Sequence, residues 1–342
     1  MIWYGIFLFF ILLLIILQEN YTLKFKLSTP IIFVFSFLLI ILAVIRPSNL
    51  PDYGAYYDFY THSNPVHENF EFFSHLIRNI SPSWYIFLFL FAFISIILKF
   101  YAIKINSDKQ ILAVLTYIST TLVLHDFIQI RASCAIALIW VALFYLNKCK
   151  YFQYFILIIL ASLFHVSAII FFPLFFLKSK KFNKLFWIGL IFISYFFAIF
   201  NIDLIHYLLL FLGNFGHIGK KLTTYYELAQ VSSFTQGYVN IFSIHQLLKI
   251  FLIIILLSNI NKLNDKTKLF FKIYILGCCC LPLFHNVTAI AMRFAELLTS
   301  VVVFLLPEIL TLFRKRSFGY VVFLFYIMAF YFLNVIYPNY FM

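Results

Sequence analysis

Apolar residues in this chain come in long uncharged blocks separated by short polar stretches, with little of the alternation expected of strands. Blocks of this kind predict membrane-spanning helices, since about 20 helical residues cross the hydrocarbon layer. The pattern predicts spans over roughly 2–18, 29–45, 84–103, 110–128, 131–146, 152–164, 166–177, 185–200, 241–258, 269–285, 294–313 and 318–337. Several between 110 and 177 are too short for straight spans, so short or broken helices are expected there, within a total of about 10–12. The predicted fold class is all-α, a polytopic integral membrane protein with one membrane domain over 1–342. Two longer polar segments, 46–83 and 201–240, interrupt the blocks.

Composition agrees with that picture, at 64% hydrophobic and only 11% charged residues, more apolar surface than a soluble domain can hide. The formal charge of +13 changes the picture through its placement. Lys24/Lys26, Lys99/Lys104/Lys109, Lys148/Lys150, Lys178/Lys180/Lys181/Lys184, Lys262/Lys266/Lys268 and Arg314-Lys315-Arg316 fall in alternate loops, which assigns those loops to the cytoplasm and both termini to the outer side. The basicity is thus a topology signal, and no nucleic-acid partner is expected. Met1–Leu17 has no basic leader and no small-residue cleavage site, and reads as a retained helix. A single span over 152–177 would put Lys178–Lys184 outside; a break at His165 into two half-length helices returns those lysines to the inside and sets His165 at an outward-facing bend.

Both polar segments are then outer loops. In 46–83, the stretch between Pro65 and Pro82 reads as an amphipathic helix, with Glu68, Glu71, His75 and Arg78 on one face and Phe70, Phe73, Ile77 and Ile80 on the other. Such a helix lies in the interface with its polar side over the membrane mouth. In 201–240, Gly213, Gly216 and Gly219 follow no strand, which rejects a dinucleotide loop. The chain has no Walker lysine loop and no Asp-x-Asp pair, and Cys134, Cys149 and Cys278-Cys279-Cys280 suggest neither a disulfide framework nor a zinc site. No cofactor and no metal are expected.

Ionisable residues near membrane depth are the candidate chemistry, because burial there is expensive. Arg131, in Gln129-Ile130-Arg131 after His125-Asp126, is an anion-binding candidate; the plainer reading has it snorkelling to headgroups or pairing with Asp126. His165 is either a proton acceptor or donor, or a core histidine capping the bend. Arg293 and Glu296 share a helix face, as an anion site or as an internal salt bridge. Lys249, one turn after His245, lies inside its span and can serve structure or function. In the first outer loop Asp52 and Glu68 are the carboxylates nearest the mouth, Arg46 and Arg78 are further cations, and Tyr53, Tyr56 and Tyr57 can stack on sugar rings; the bland alternative is a solvated loop with interfacial aromatics.

The order of these features resembles the EpsG family of Wzy-like polysaccharide polymerases. The resemblance covers about residues 40–300 and rests on Arg46 before Asp52-Tyr53 and Tyr56, Glu68, Gln129-Ile130-Arg131 with Ala132, Ser133 and Ala135, Phe164-His165-Val166-Ser167-Ala168 before Pro173, and Arg293-Phe294. It implies a metal-independent glycosyltransferase at the outer face of the cytoplasmic membrane. Undecaprenyl-diphosphate-linked oligosaccharide repeat units would be both donor and acceptor, with a flippase and chain-length regulators as partners. Cleavage of a sugar–diphosphate bond develops negative charge that preorganised cations must meet. Arg131 and Arg293 are the foremost candidates, with Arg78 or Arg46 from the loop and Gln129, Glu296, Tyr53, Tyr56 and Lys249 in support. The acceptor hydroxyl must lose a proton, and His165, Asp52 or Glu68 can take it. A flippase or exporter of the lipid-linked glycan, and a ligase or acyltransferase acting on it, share the membrane setting and stand as alternatives.

Overall fold

A computed structural model describes residues 29–62, 70–212, 219, 223–224, 226–227 and 239–338. The expected span 2–18, Glu68 and most of 213–238 lie outside the described residues. Among the described residues the regular elements are all helical, and the protein is an all-α polytopic membrane protein. Among the described residues, five helices are long and apolar enough to cross a membrane: Trp84–Asn106, Gln110–Ile128, Ile130–Asn147, Thr288–Leu312 and Arg316–Ile336. Shorter apolar helices include Tyr151–Phe164, Val166–Phe176, Lys184–Ile199 and Ile244–Ser258. The chain divides into two compact units, Met1–Phe176 with Val302–Met342, and Leu177–Val301.

In the first unit, helix α1 (Thr29–Val44) leads to two short helices, α2 (Tyr53–Thr61) and α3 (Phe72–Ile80), before the long α4 (Trp84–Asn106). Ser83 starts α4 by accepting from the Ile86 backbone N–H, which satisfies one of the orphan donors of the first turn. Helix α5 (Gln110–Tyr117) widens into a π-helix over Ile118–Ile128, which ends where the Gln129 N–H reaches back to the Leu124 carbonyl at 2.9 Å. Asn334, in a second π-helix, donates to the Ser119 carbonyl at 3.1 Å and ties the two wide segments together. Gln129 itself is non-helical and marks the break before α6 (Ile130–Asn147). The small buried residues Ala132, Ser133, Ala135, Ala137 and Ala142 let α6 approach α4 and α7 (Tyr151–Phe164) closely.

A tight turn with Cys149 in the left-handed region joins α6 to α7. Helix α7 stops at Phe164; His165 is extended (φ −153°, ψ 111°) and a 3₁₀ helix, Val166–Phe176, runs back along α7. The Tyr154 hydroxyl donates to the Phe171 carbonyl and pins the two legs of this hairpin. The break expected at His165 is therefore present. At the far end of α4, Lys109 Nζ lies 2.8 Å from Glu308 Oε2, and Asn106 Nδ2 donates to the Trp140 carbonyl at 2.8 Å. The residues of interest, from Arg46 through Trp84, gather at the opposite end.

Two expectations need correction here. The loop 46–83 holds two helices, and its second turns its charged side inward: Glu71, His75 and Arg78 are half-buried, Ser74 and Ile77 buried, while Phe72, Leu76 and Ile80 form an exposed apolar stripe. Spacing by i, i+4 puts those three on one face, which suits a helix lying against lipid with its polar side on the protein. Lys99, grouped above with loop lysines, is fully buried in the middle of α4.

The second unit contains α8 (Lys184–Ile199), α9 (Leu204–Leu212), α10 (Ile244–Ser258), α11 (Asp265–Leu283) and α12 (Thr288–Thr299). Gly277 of α11 meets α12 so closely that a Cβ there would lie 2.7 Å from Thr299 Cγ2, so only glycine permits the contact. Lys272 is buried in α11 and donates to the Lys178 and Lys181 carbonyls. Helix α12 starts at Thr288, six residues before the expected start of its span, so Arg293 falls in the second turn of the helix.

Candidate functional site

Glu71 is the pivot of the first unit's polar end. It caps α3 in an extended conformation without a side-chain cap bond, and its carboxylate reaches outward from the helix start. One oxygen, Oε2, accepts from Arg131 Nη1 at 2.6 Å. The other, Oε1, accepts from the Val166 backbone N–H at 3.3 Å and lies 3.8 Å from His165 Nδ1. One carboxylate thus joins the first loop, the start of α6 and the tip of the hairpin. Phe73 stacks on Phe164 at 4.6 Å, which holds α3 against that tip.

The Arg131 guanidinium is roofed by aromatics, 4.0 Å from the Phe70 ring centroid and 5.7 Å from that of Tyr56. Such faces attract a cation and exclude water, which strengthens the pairing with Glu71. The side chains of Arg131 and Glu71 are 19% and 9% exposed, so the pair is partly screened but not solvated. Gln129, half-buried, occupies the joint that aims Arg131 at this point.

Arg131 does not pair with Asp126. Asp126 is fully buried and receives four donors, Lys99 Nζ at 2.6 Å, Tyr117 Oη at 2.8 Å, Ser95 Oγ at 2.6 Å and Ser133 Oγ at 2.7 Å. Lys99 also donates to Ser133 Oγ at 2.6 Å. This network spans the break at Gln129, with Asp126 before it and Ser133 after it, and so ties α6, which carries Arg131, to the π-helix and to α4. It was legible in principle, since Lys99 is a lone cation inside an apolar run, but grouping it with Lys104 and Lys109 concealed it.

The other loop candidates serve the same end of the unit in different ways. Arg46 is 6% exposed, donates Nη1 to the Phe127 carbonyl at 2.7 Å and lies 5.8 Å from the Tyr53 ring centroid. Burial pulls its pKa down from the ordinary arginine value to about 10, with Tyr56 and then Tyr53 acting in the opposite direction. Tyr53 accepts from Trp84 Nε1 at 2.9 Å, and Tyr56 is buried, so both tyrosines are packed into the protein. Arg78 Nε donates to the Tyr60 carbonyl at 3.3 Å and its guanidinium lies 5.3 Å from the Phe59 centroid. Asp52 is exposed at the head of α2 in the left-handed region (φ 62°, ψ −8°) and makes no side-chain cap bond. Glu68 lies outside the described residues.

In the second unit, Arg293 and Glu296 are half-buried on α12, beside a cluster of Ile205, Val287 and Ile290 packed with Phe284 and Phe294. Lys249 is half-buried in α10, where Gln246 donates to the Cys278 carbonyl at 2.8 Å. The first unit therefore brings together Arg131, His165 and Tyr56 around Glu71, with Gln129 at the joint that aims Arg131.

A bundle of apolar helices with a guanidinium, a carboxylate and an imidazole collected at one end of the first unit defines a polytopic integral membrane protein with a charged cluster built into it. The EpsG family model matches residues 26–341, nearly the whole chain, and the protein belongs to the EpsG family, a Wzy-like polymerase family. Its function is accordingly polysaccharide polymerase-like. No curated protein and no solved structure matches the chain.

Proposed function

We propose that this protein polymerises oligosaccharide repeat units carried on undecaprenyl diphosphate, by metal-independent glycosyl transfer at the outer face of the cytoplasmic membrane. The observation that carries this reading is Glu71 joining Arg131 to the His165–Val166 backbone, because it unites the two family motifs with the first loop at one point. In the reaction an acceptor hydroxyl oxygen forms a bond to the donor's anomeric carbon while the bond from that carbon to the diphosphate oxygen breaks. The electron pair leaves with the diphosphate, toward the guanidinium groups, and the hydroxyl proton passes to His165, whose Nδ1 lies beside the Glu71 carboxylate. Arg46, Arg78 and Arg131 supply positive charge from the first unit, with Asp52 and Glu68 of the first loop as alternative proton acceptors.

Arg131→Ala is expected to leave single repeat units on the lipid, with transfer reduced about 10²–10³-fold, the usual cost of one preorganised charge donor. Gel analysis of lipid-linked glycans checks it, and unchanged chain length in the variant overturns the proposal. Purified protein reconstituted with lipid-linked repeats on one side separates this reading from a flippase: glycans lengthen in the first case and only change sides in the second.

A further inference from the structure

Arg46 differs from Arg131 in one respect that chemistry makes important. Arg131 already holds a carboxylate at 2.6 Å. Arg46 is more deeply buried, yet no carboxylate pairs with it among the described residues, and its Nε and Nη2 have neither a hydrogen-bond partner among those residues nor exposed surface. A buried cation left without a counter-ion is among the most destabilising arrangements a fold can keep.

The unpartnered nitrogens are a matched pair. Nε and Nη2 form the side edge of the guanidinium, whose two parallel N–H groups fit two oxygens of one phosphate. The third nitrogen, Nη1, is anchored on the Phe127 carbonyl, two residues before Gln129, so the direction of the fork is set by the same chain segment that carries Arg131. Tyr56 neighbours both guanidinium groups, and the Tyr53 ring covers Arg46 at 5.8 Å.

We propose that Arg46 is the guanidinium that grips the carrier's diphosphate through its Nε–Nη2 edge, while Arg131, its charge partly offset by Glu71, acts as the second cation beside it. The inference rests on the polymerase reading above and assigns the work within it. Entry of the phosphate requires Tyr53 and the turn before α2 to move aside.

The test is thermal unfolding and binding of the full chain in detergent, with undecaprenyl diphosphate, inorganic pyrophosphate, undecaprenol and phosphatidylglycerol as separate probes. Undecaprenyl diphosphate and pyrophosphate are expected to raise the Tm of the native protein, and undecaprenol and phosphatidylglycerol to leave it unchanged. Arg46→Met is expected to unfold at the same or a higher temperature than the native protein without ligand, because an unpaired buried charge has been removed. It should also bind the diphosphate about tenfold or more weakly. Arg46→Lys, which keeps the charge and loses the fork, is expected to bind only slightly better than Arg46→Met. Undiminished diphosphate binding in Arg46→Met, a lowered Tm that Arg46→Lys fully restores, or equal protection by phosphatidylglycerol would each overturn the proposal. A native protein that binds diphosphate through Arg46 but never lengthens glycans would overturn the polymerase reading and leave the anion site standing.

Discussion

Glu71 offsets part of Arg131's charge, and under the proposed function it sets how much of that charge reaches a substrate. Breaking such a pair on one side leaves the other charge partly buried without its partner, a loss of about 3–5 kcal/mol in a fully buried case and less at the exposure seen here. Glu71→Arg and Arg131→Glu should each lower the Tm and abolish polymer. The double exchange is expected to recover stability without recovering activity, since it returns the ion pair but removes both the cation at the start of α6 and the carboxylate beside His165. Thermal unfolding together with glycan length checks this, and recovery of full activity in the double exchange would reduce the pair to a strut. Arg131 was legible in the sequence as a charge opening an apolar run. Glu71 was visible only as one of several polar residues in a loop, because which of them reaches Arg131 depends on where α3 begins, and a cap position shifts with tertiary contacts.

Among the elements, the break at Gln129 depends on a polar network at membrane depth. Lys99, Asp126, Tyr117, Ser95 and Ser133 satisfy one another with no exposed surface at the ion pair. Lys99→Met alone or Asp126→Leu alone is expected to destabilise by about 3–5 kcal/mol, while the combined Lys99→Met/Asp126→Leu chain should recover most of that loss, short of the cost of leaving the Tyr117 hydroxyl without its acceptor. If the network serves mainly to aim Arg131, the double variant stays folded yet makes shorter polymer; normal polymer from it would confine the network to stability. The spans themselves could be read from apolar block length, and the hairpin break from the lysines that follow it. The inward turn of α3 could not, since its apolar stripe Phe72–Leu76–Ile80 has the same spacing whether it meets lipid or protein.

At the scale of the whole molecule, the proposed orientation makes Cys149 informative. It is exposed in the turn between α6 and α7, flanked by Lys148 and Lys150, whereas Cys134, Cys278, Cys279 and Cys280 are buried. A membrane-impermeant maleimide is expected to label inside-out vesicles and not right-side-out ones, and Cys149→Ser should abolish the label. Labelling from the outer side would invert the orientation and place Glu71, Arg131 and His165 on the wrong face for the proposed reaction. The hairpin that begins at this turn also acts as a ruler. Its legs have 14 and 11 residues, yet α and 3₁₀ rises of 1.5 and 2.0 Å make both about 21–22 Å long. A hydrocarbon layer is about 30 Å thick, so a hairpin rising from the inner surface ends on the order of 10 Å below the outer headgroups. Under the proposed orientation and function, His165 as proton acceptor meets the sugar next to the phosphates at that depth and is out of reach of the rest of the glycan, so chain length has to be measured elsewhere.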